Sequence, residues 1–231
     1  SLSRMDCGDD RFIGQMIGPF CLERKVGEGG MGSVYLGRRI ADFEQLVAVK
    51  VLLHDAHRGD TFRRFRTERQ ALAALQHPHI VQLIDGGVTP QGIPFLAMEY
   101  VDGKPLDLFC RTNRVSIDDR IRLMIKILDA IDHAHGRLMA HCDLKFSNII
   151  VTGDGEPHLL DFGVAKLLRP EQYGLSGQPT QAASRPFTPE FASPEQLRGE
   201  PLTTATDVYS TGVILYTLLA GVHPFESQLN E

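Results

Sequence analysis

The sequence has few of the features that mark several large classes of protein. Its longest apolar stretch, residues 213–222 of 231, is far shorter than the ~20 residues that cross a bilayer, so no membrane span is expected within this chain. Neither a CxxC spacing nor a disulfide framework is present, so neither zinc nor disulfides are predicted. Reduced thiols fit a cytoplasmic protein. The four cysteines are Cys7, Cys21, Cys110 and Cys142.

Basic residues also form no broad surface. The formal net charge is -5, and positive charge is scattered except for four arginines between positions 63 and 69, which are typical of one solvated helix face. A nucleic-acid binder would normally show a broader basic face, so no nucleic-acid partner is expected. The opening Ser1-Leu2-Ser3 lacks an initiator Met and an apolar signal region, which is typical of an expression remnant. We interpret residues 1–16 as an N-terminal extension.

The first half of the chain has a strand-like hydrophobic pattern. Up to about residue 100, short runs rich in β-branched and aromatic residues and punctuated by glycine predict strands. One helix interrupts them, where residues from Phe62 to Leu75 recur at intervals of three and four. The predicted strands cover residues 21–26, 33–39, 46–52, 79–85 and 94–100.

Helices dominate from residue 102 onward. Ser116 followed by Asp119 is a helix-capping pattern, and the apolar residues after it have the spacing of one helical face. These residues are Ile117, Ile121, Met124, Ile125, Leu128 and Ile131. A second helix is predicted over residues 207–222, with Gly221 as its stop.

Two connecting segments complete this half. Residues 149–151 and 158–160 flank a Gly-Asp-Gly turn and predict a hairpin, whereas residues 170–194 form a long polar segment typical of a loop. We therefore expect an α+β fold, in which a β-rich lobe joins a helical lobe near residues 100–103. A cleft between two lobes is a natural place for a ligand.

Residues 27–32, Gly-Glu-Gly-Gly-Met-Gly, match the pattern GxGxxG. In a dinucleotide-binding fold such glycines open a helix, but residues 33–37 have the composition of a strand. Glycines between two strands let backbone N–H groups approach phosphate oxygens closely. The alternative is a tight turn without a ligand.

Charged residues farther along the chain supply groups suited to phosphoryl transfer. Lys50 ends a predicted strand and Glu68 lies on the next helix, where a carboxylate can hold a phosphate-binding ammonium in place. Taken singly, each is also explained as an exposed surface charge. Asp143, Asn148 and Asp161 add an acceptor for a hydroxyl proton and two oxygen ligands for magnesium.

In combination these motifs resemble the eukaryotic-type serine/threonine protein kinases, and most of all their bacterial members. The residues that carry the likeness most specifically are 26–34 and 188–196. The resemblance implies a two-lobed protein-kinase-like fold over residues 17–231, with an N-lobe at 17–101 and a C-lobe at 102–231 that is incomplete at its C-terminus. An exposed apolar face is then expected, and with it self-association.

The resemblance also implies a site for ATP and Mg²⁺. Four residues would be catalytic: the base Asp143, the γ-phosphate contact Lys145, and an ion pair of Lys50 with Glu68. Two would hold the metal ion, namely Asn148 and Asp161. A regulatory spine would comprise Leu72, Leu83, His141, Phe162 and Asp207. The nucleotide would be bound by Val26, Gly27, Glu28, Gly29, Gly30, Met31, Gly32, Ser33, Val34, Ala48, Lys50, Met98, Glu99, Val101 and Ile150.

The implied function is ATP-dependent phosphoryl transfer to Ser and Thr hydroxyls of proteins, autophosphorylation included. Lys145, two residues after the base, and Thr188 in the docking loop resemble the serine/threonine-specific branch. The competing hypothesis is a pseudokinase that serves as a nucleotide-binding scaffold or sensor, but the reacting groups named above are all retained. A third alternative, a small-molecule kinase, would lack the segment that runs from Thr188 to Ser-Pro-Glu.

Two residues depart from the family pattern. Cys142 replaces the Arg that normally precedes the catalytic Asp, and Phe146 replaces a Pro, which should alter loop stiffness only modestly. A thiol cannot form the guanidinium fork that pairs with an activation-loop phosphate. Cys142 is interpreted as buried packing, with a redox-sensitive thiol as the alternative.

A phosphate on Ser176, Thr180, Ser184 or Thr188 should therefore not use this anchor. We expect phosphatase treatment to leave the rate of phosphate transfer to an added acceptor essentially unchanged. The reason is that Cys142 has no guanidinium that such a phosphate could bind. A large loss of activity that autophosphorylation restores would contradict this expectation.

Overall fold

The computed structural model describes residues 12–29, 32–40, 44–52, 69, 72–162 and 189–225. These residues divide into two compact units. The first unit holds the described residues up to 52 together with 83–100, and the second holds residue 69 and residues 72–82, 101–162 and 189–225. The lobe limits expected from the sequence stay a prediction.

The described residues of the first unit are built on one antiparallel sheet of six strands. The strands are β1 (Met16–Ile17), β2 (Phe20–Gly29), β3 (Gly32–Arg39), β4 (Gln45–Leu52), β5 (Leu83–Val88) and β6 (Pro94–Glu99). Their order across the sheet is β1-β2-β3-β4-β6-β5. Register shifts in β2 between Leu22 and Arg24 and between Lys25 and Gly27 mark bulges, which increase the local twist.

Side-chain alternation along the strands gives this sheet a core face. Val47, Val49 and Val51 of β4 are fully or almost fully buried, and they pack with Leu22 and Phe95 in one hydrophobic cluster. Successive residues of a strand point to opposite faces. The even-numbered residues of β4 therefore lie on the face opposite this core.

In the residues that the structure describes, the second unit has four complete helices, two 3-10 turns and a small antiparallel sheet of three strands that pair in chain order. The two turns are Phe146–Asn148 and Pro189–Phe191. The strands are β7 (Gly103–Pro105), β8 (Ile149–Thr152) and β9 (Pro157–Leu159). The helices are α1 (Leu106–Thr112), α2 (Ile117–His135), α3 (Pro194–Arg198) and α4 (Thr204–Ala220). Within the part of the chain that the structure describes, no helix is both long and apolar enough to cross a membrane.

The predicted elements are largely present, with shifted ends. The hairpin of β8 and β9 is confirmed, as is the stop at Gly221, which caps α4 with a φ of 76°. The fourth predicted strand begins later than expected, since Ile80 makes only an isolated bridge to Leu159 and the strand runs over Leu83–Val88. The Phe95 ring covers Gly87 in that strand, which explains why glycines there do not end it.

Two other segments bear on the sequence predictions. Most of the predicted helix from Phe62 to Leu75 lies outside the described residues, as do residues 170–188 of the predicted loop. The prediction of loop up to residue 194 was wrong at its end, because helix α3 begins at Pro194. Ser193 and Gln196 form a capping box there, which satisfies N–H groups at the start of the helix.

Helix α2 buries a different face from the predicted one. Met124 and Ile131 of the predicted stripe are buried, but the other four members are exposed: Ile117, Ile121, Ile125 and Leu128. The helix carries two apolar faces, and the one that packs against α4 and β9 contains Leu123, Met124, Ile127, Ala130, Ile131 and Ala134. An exposed apolar face is thus present, while self-association stays a prediction.

The two faces of α2 should differ sharply in their contribution to stability. Ile127 is 1% exposed and Ile125 is 58% exposed. We expect Ile127→Ala to lower the free energy of unfolding by about 2–5 kcal/mol, through lost burial and a cavity. The matched control Ile125→Ala should change it by less than about 0.5 kcal/mol. Urea unfolding measures both, and equal losses would show that the assigned face is wrong.

Candidate active site

The glycine-rich segment forms the hairpin of β2 and β3, in which Gly29 pairs with Gly32 and Gly27 pairs with Val34. Gly30 and Met31 lie outside the described residues. Gly32 has a φ of 142°, and a Cβ atom there would lie 2.1 Å from the carbonyl oxygen of Val51. Only glycine fits such a position without displacing backbone. The fourth glycine of the motif is therefore required by the close approach of β4.

Lys50 lies on the sheet face opposite the hydrophobic core. It is 6% exposed, and it pairs in register with Val34 on β3 and with Leu96 on β6. Ala48, two residues earlier on the same face, pairs with Met98. Four of the predicted nucleotide-binding residues thus share one sheet face. Glu68 lies outside the described residues, so its ion pair with Lys50 stays a prediction.

The other predicted nucleotide-binding residues are spread over both units. Val26 and Glu28 are exposed on β2, and Ser33 is buried on β3. Glu99 ends β6 and is exposed. Two further residues belong to the second unit: Val101 and the half-buried Ile150 of β8.

In the second unit, Asp143, Lys145 and Asn148 form one polar cluster. The Lys145 Nζ lies 2.9 Å from the Asp143 Oδ2. The Asn148 Nδ2 donates to the Asp143 carbonyl oxygen at 2.7 Å and to its Oδ2 at 3.3 Å. Asn148 itself is buried at the end of the 3-10 turn. One oxygen of the carboxylate, Oδ2, therefore contacts both the Asn148 amide and the Lys145 ammonium.

A backbone hydrogen bond links the residue before Asp161 to this cluster. The Leu160 N–H donates to the Asn148 carbonyl oxygen at 2.9 Å. The His141 Nε2 donates to the Leu160 carbonyl oxygen at 2.8 Å, and the His141 ring packs edge-on against Phe162 with ring centroids 5.0 Å apart. Asp161 has a φ of 55°, a left-handed conformation that non-glycine residues adopt mainly where the surroundings enforce it.

The buried carboxylate of Asp207 on α4 fixes the loop that carries Asp143. Its Oδ2 accepts from the His141 N–H at 2.7 Å and from the His135 Nε2 at 2.8 Å, and its Oδ1 accepts from the Cys142 N–H at 2.8 Å. Asp207 is 0% exposed. A carboxylate can be buried in this way because each oxygen receives hydrogen bonds. The structure thus joins three predicted spine residues, namely His141, Phe162 and Asp207.

Sequence reasoning missed two residues of this arrangement. His135, in the last turn of α2, donates to Asp207. The only sequence signal for this contact was its position at a helix end, six residues before His141. Gln196 of α3 donates from Nε2 to the Cys142 carbonyl oxygen at 2.8 Å. The Ser-x-x-Gln spacing of a capping box would have located it. The Cys142 side chain is buried, as the packing interpretation expected.

Comparisons with known proteins agree with this geometry. The protein kinase domain family matches residues 20–231. The chain is 37% identical over 225 residues to the serine/threonine-protein kinase pkn3 of Myxococcus xanthus, covering 94% of this chain and 41% of that protein. It is 38% identical over 205 residues to PknB of Mycolicibacterium smegmatis, covering 87% and 32%.

A solved structure supports the same assignment. The PknI kinase domain of Mycobacterium tuberculosis superposes with a TM-score of 0.68 at 28% identity, covering 91% of this chain and 78% of that chain. The chain therefore belongs to the protein kinase domain family, with the sheet-based N-lobe and helical C-lobe of that fold. The predictions of family and fold are confirmed. The chain spans less than half the length of the two curated relatives.

The close approach at Gly32 gives a stability test of the glycine-rich hairpin. We expect Gly32→Ala to lower the free energy of unfolding by about 1–3 kcal/mol, because alanine is strained at this φ and its Cβ meets the Val51 carbonyl. Gly153→Ala, in a hairpin turn with nothing within 4 Å of the added Cβ, is the control. Thermal unfolding measures both variants. Equal changes in the free energy of unfolding would refute the conformation assigned to Gly32.

Proposed function

We propose that this domain transfers the γ-phosphoryl group of ATP to Ser and Thr hydroxyls of protein substrates, itself included. The observation that carries the proposal is the cluster of Asp143, Lys145 and Asn148, in which Asn148 accepts a backbone hydrogen bond from Leu160, the residue before Asp161. Phosphoryl transfer depends mainly on positioning and on neutralising charge, and little covalent chemistry falls to the protein. A cluster of one carboxylate, one ammonium and one amide meets both needs.

Asp143 is the acceptor for the substrate hydroxyl proton. Its carboxylate is partly exposed and is oriented by the Asn148 amide, so one oxygen can approach a hydroxyl within hydrogen-bonding distance. Lys145, whose ammonium lies 2.9 Å from that carboxylate, can also offset negative charge on the transferred phosphoryl group. One loop thus supplies a base for the attacking hydroxyl and a cation for the phosphoryl group that it attacks.

Asn148 and Asp161 fit a magnesium ion. The Asn148 Nδ2 is turned toward Asp143, which leaves the amide oxygen for a cation, and Asp161 adds a carboxylate. Magnesium prefers such hard oxygen ligands and is normally held by only one or two protein side chains together with phosphate oxygens. When bound, the ion supplies charge neutralisation for the phosphates.

The first unit supplies groups suited to the rest of the nucleotide. A glycine-rich hairpin such as β2-β3 lets backbone N–H groups approach phosphate oxygens closely, and Lys50 offers an ammonium on the adjoining strand. Val34, Ala48 and Met98 make the same sheet face apolar around it, which suits a purine ring. The two kinds of group correspond to the two ends of ATP.

The nature of the substrate is also part of the proposal. The relatives named above are serine/threonine-protein kinases, which favours a protein acceptor over a small molecule. The sequence retains the reacting groups that a nucleotide-binding scaffold would not need, and three of them, Asp143, Lys145 and Asn148, lie in one cluster. Both facts disfavour the pseudokinase hypothesis. A cytoplasmic location is likewise proposed from the reduced thiols.

A direct test uses Mg-ATP and a generic protein acceptor. We expect phosphate incorporation by the parent chain and a loss of at least about 100-fold in Asp143→Asn, because general-base catalysis is typically worth 10²–10⁴-fold. Nucleotide affinity, measured in parallel, should change little in this variant.

Each other result has a defined meaning. Nucleotide binding without any incorporation by the parent chain would favour the scaffold hypothesis. Equal incorporation by parent and Asp143→Asn would remove Asp143 from the proposed role.

A further inference from the structure

The side chain of Gln196 links helix α3 to the loop that precedes Asp143. Gln196 is 5% exposed, and both ends of its amide are used. The Nε2 donates to the Cys142 carbonyl oxygen at 2.8 Å, and the Oε1 accepts from the Ser193 N–H at 3.0 Å. One rigid, planar group therefore ties the start of α3 to the peptide that joins Cys142 to Asp143.

Cys142, the residue that begins this peptide, has a strained backbone conformation. Cys142 has a φ of 64°, and a non-glycine residue in the left-handed region costs about 1–3 kcal/mol and persists only where its surroundings enforce it. Here the N–H of Cys142 donates to Asp207, and its carbonyl accepts from Gln196. Each polar backbone group of the strained residue is thus held by a different buried side chain.

The Cys142 carbonyl and the Asp143 N–H belong to the same planar peptide group. The nitrogen of this group is bonded to the Asp143 Cα, so a rotation of the peptide plane would change the direction of the Asp143 Cα–Cβ bond. That N–H donates to the His141 Nδ1 at 3.3 Å, which is a long hydrogen bond. A second constraint on the peptide, from Gln196, therefore matters to the orientation of the carboxylate.

We infer that Gln196 is a positioning residue for phosphoryl transfer, which holds the Asp143 carboxylate in its working orientation through the Cys142 carbonyl. The inference rests on the proposed function of Asp143. In this role the uncharged Gln196 amide connects helix α3 to the loop that carries Asp143. Residue 142 is a cysteine and has no guanidinium to pair with a phosphate, and the Gln196 connection needs none.

Gln196→Glu is a sharp test because it keeps the shape and changes only the donor. An ionised carboxylate cannot donate to the Cys142 carbonyl and faces it with like charge, whereas a protonated carboxyl can donate. Burial and neighbouring negative charge both favour the protonated form. The charged groups near this position are Glu195 and Arg198 on α3 and, across the Cys142 peptide, Asp207 and Asp143.

Glu195 keeps its charge over the pH range of such an experiment. Burial acts to raise the pKa of Glu195, but hydrogen bonds from its own backbone N–H and from the hydroxyls of Thr206 and Ser193 hold that pKa below its ordinary value. The Thr206 Oγ1 lies 2.8 Å from the Glu195 Oε1. A change of activity between pH 8 and pH 6 in the variant is then not explained by Glu195.

We expect Gln196→Glu to lower kcat by about 10- to 100-fold at pH 8, the scale of loss when a reacting group is misplaced by ~1 Å. Relative to the parent chain at each pH, kcat should recover toward pH 6, while KM for ATP stays within about threefold because the nucleotide contacts are untouched. Gln196→Met, of similar volume but without a donor, should lose kcat equally at both pH values.

Ser116→Ala provides the control for loss of a helix cap alone. Ser116 caps α2 by accepting from the Asp119 N–H at 3.2 Å, so its removal costs a side-chain cap, about 1 kcal/mol. Its kcat and its pH profile should match those of the parent chain. A role of Gln196 in stability alone would make its variants behave in the same way.

Every outcome of this experiment is decisive. If the parent chain is active and both Gln196 variants keep its kcat and pH profile, the inference is wrong while the proposed function stands. If Asp143→Asn retains full activity, it is the proposed function that fails. A Gln196→Glu chain that is unfolded at both pH values, by circular dichroism, assigns the side chain to stability alone and also overturns the inference.

Discussion

The buried carboxylate of Asp207 is the interaction on which the second unit depends. It accepts hydrogen bonds from His135, His141 and Cys142, which come from the end of helix α2 and from the loop after it. An isolated carboxylate in the protein interior would be very costly, so α4 can bury this group only with that loop in place. The same hydrogen bonds fix the residue immediately before Asp143. The stability of the helical unit and the geometry of the proposed catalytic residue Asp143 therefore depend on the same hydrogen bonds.

Two strained residues lie next to these groups. Among the described residues, four non-glycine residues have a left-handed φ, and two of them, Cys142 and Asp161, each adjoin a residue that the buried network holds. Strained conformations persist where hydrogen bonds and packing leave no alternative, and they occur mainly at functional sites. In this unit the enforcing contacts are the Asp207 and Gln196 hydrogen bonds on one side and the packing of Phe162 against His141 on the other.

The two faces of the sheet in the first unit carry different sets of residues, the core on one and the proposed nucleotide-binding residues on the other. The valines at 47, 49 and 51 build the hydrophobic core, while Ala48 and Lys50 between them lie on the opposite face. A shift of one residue in register would exchange the two sets, so the core itself enforces the position of Lys50. Gly32 completes the arrangement because β4 approaches its Cα too closely for any side chain.

The sequence alone determined the features that depend on neighbouring residues: the strands, the hairpin of β8 and β9, the cap at Ser116, and the ordered motifs that indicate the kinase family. Local signals suffice there because alternation, capping and turn chemistry act within a few residues. Only the tertiary structure decided which apolar face of α2 is buried, since both faces have helical spacing and the packing of α4 and β9 selects one. It alone also joined Gln196 to Cys142, 54 residues apart, because a contact of that range exists only after the chain has folded.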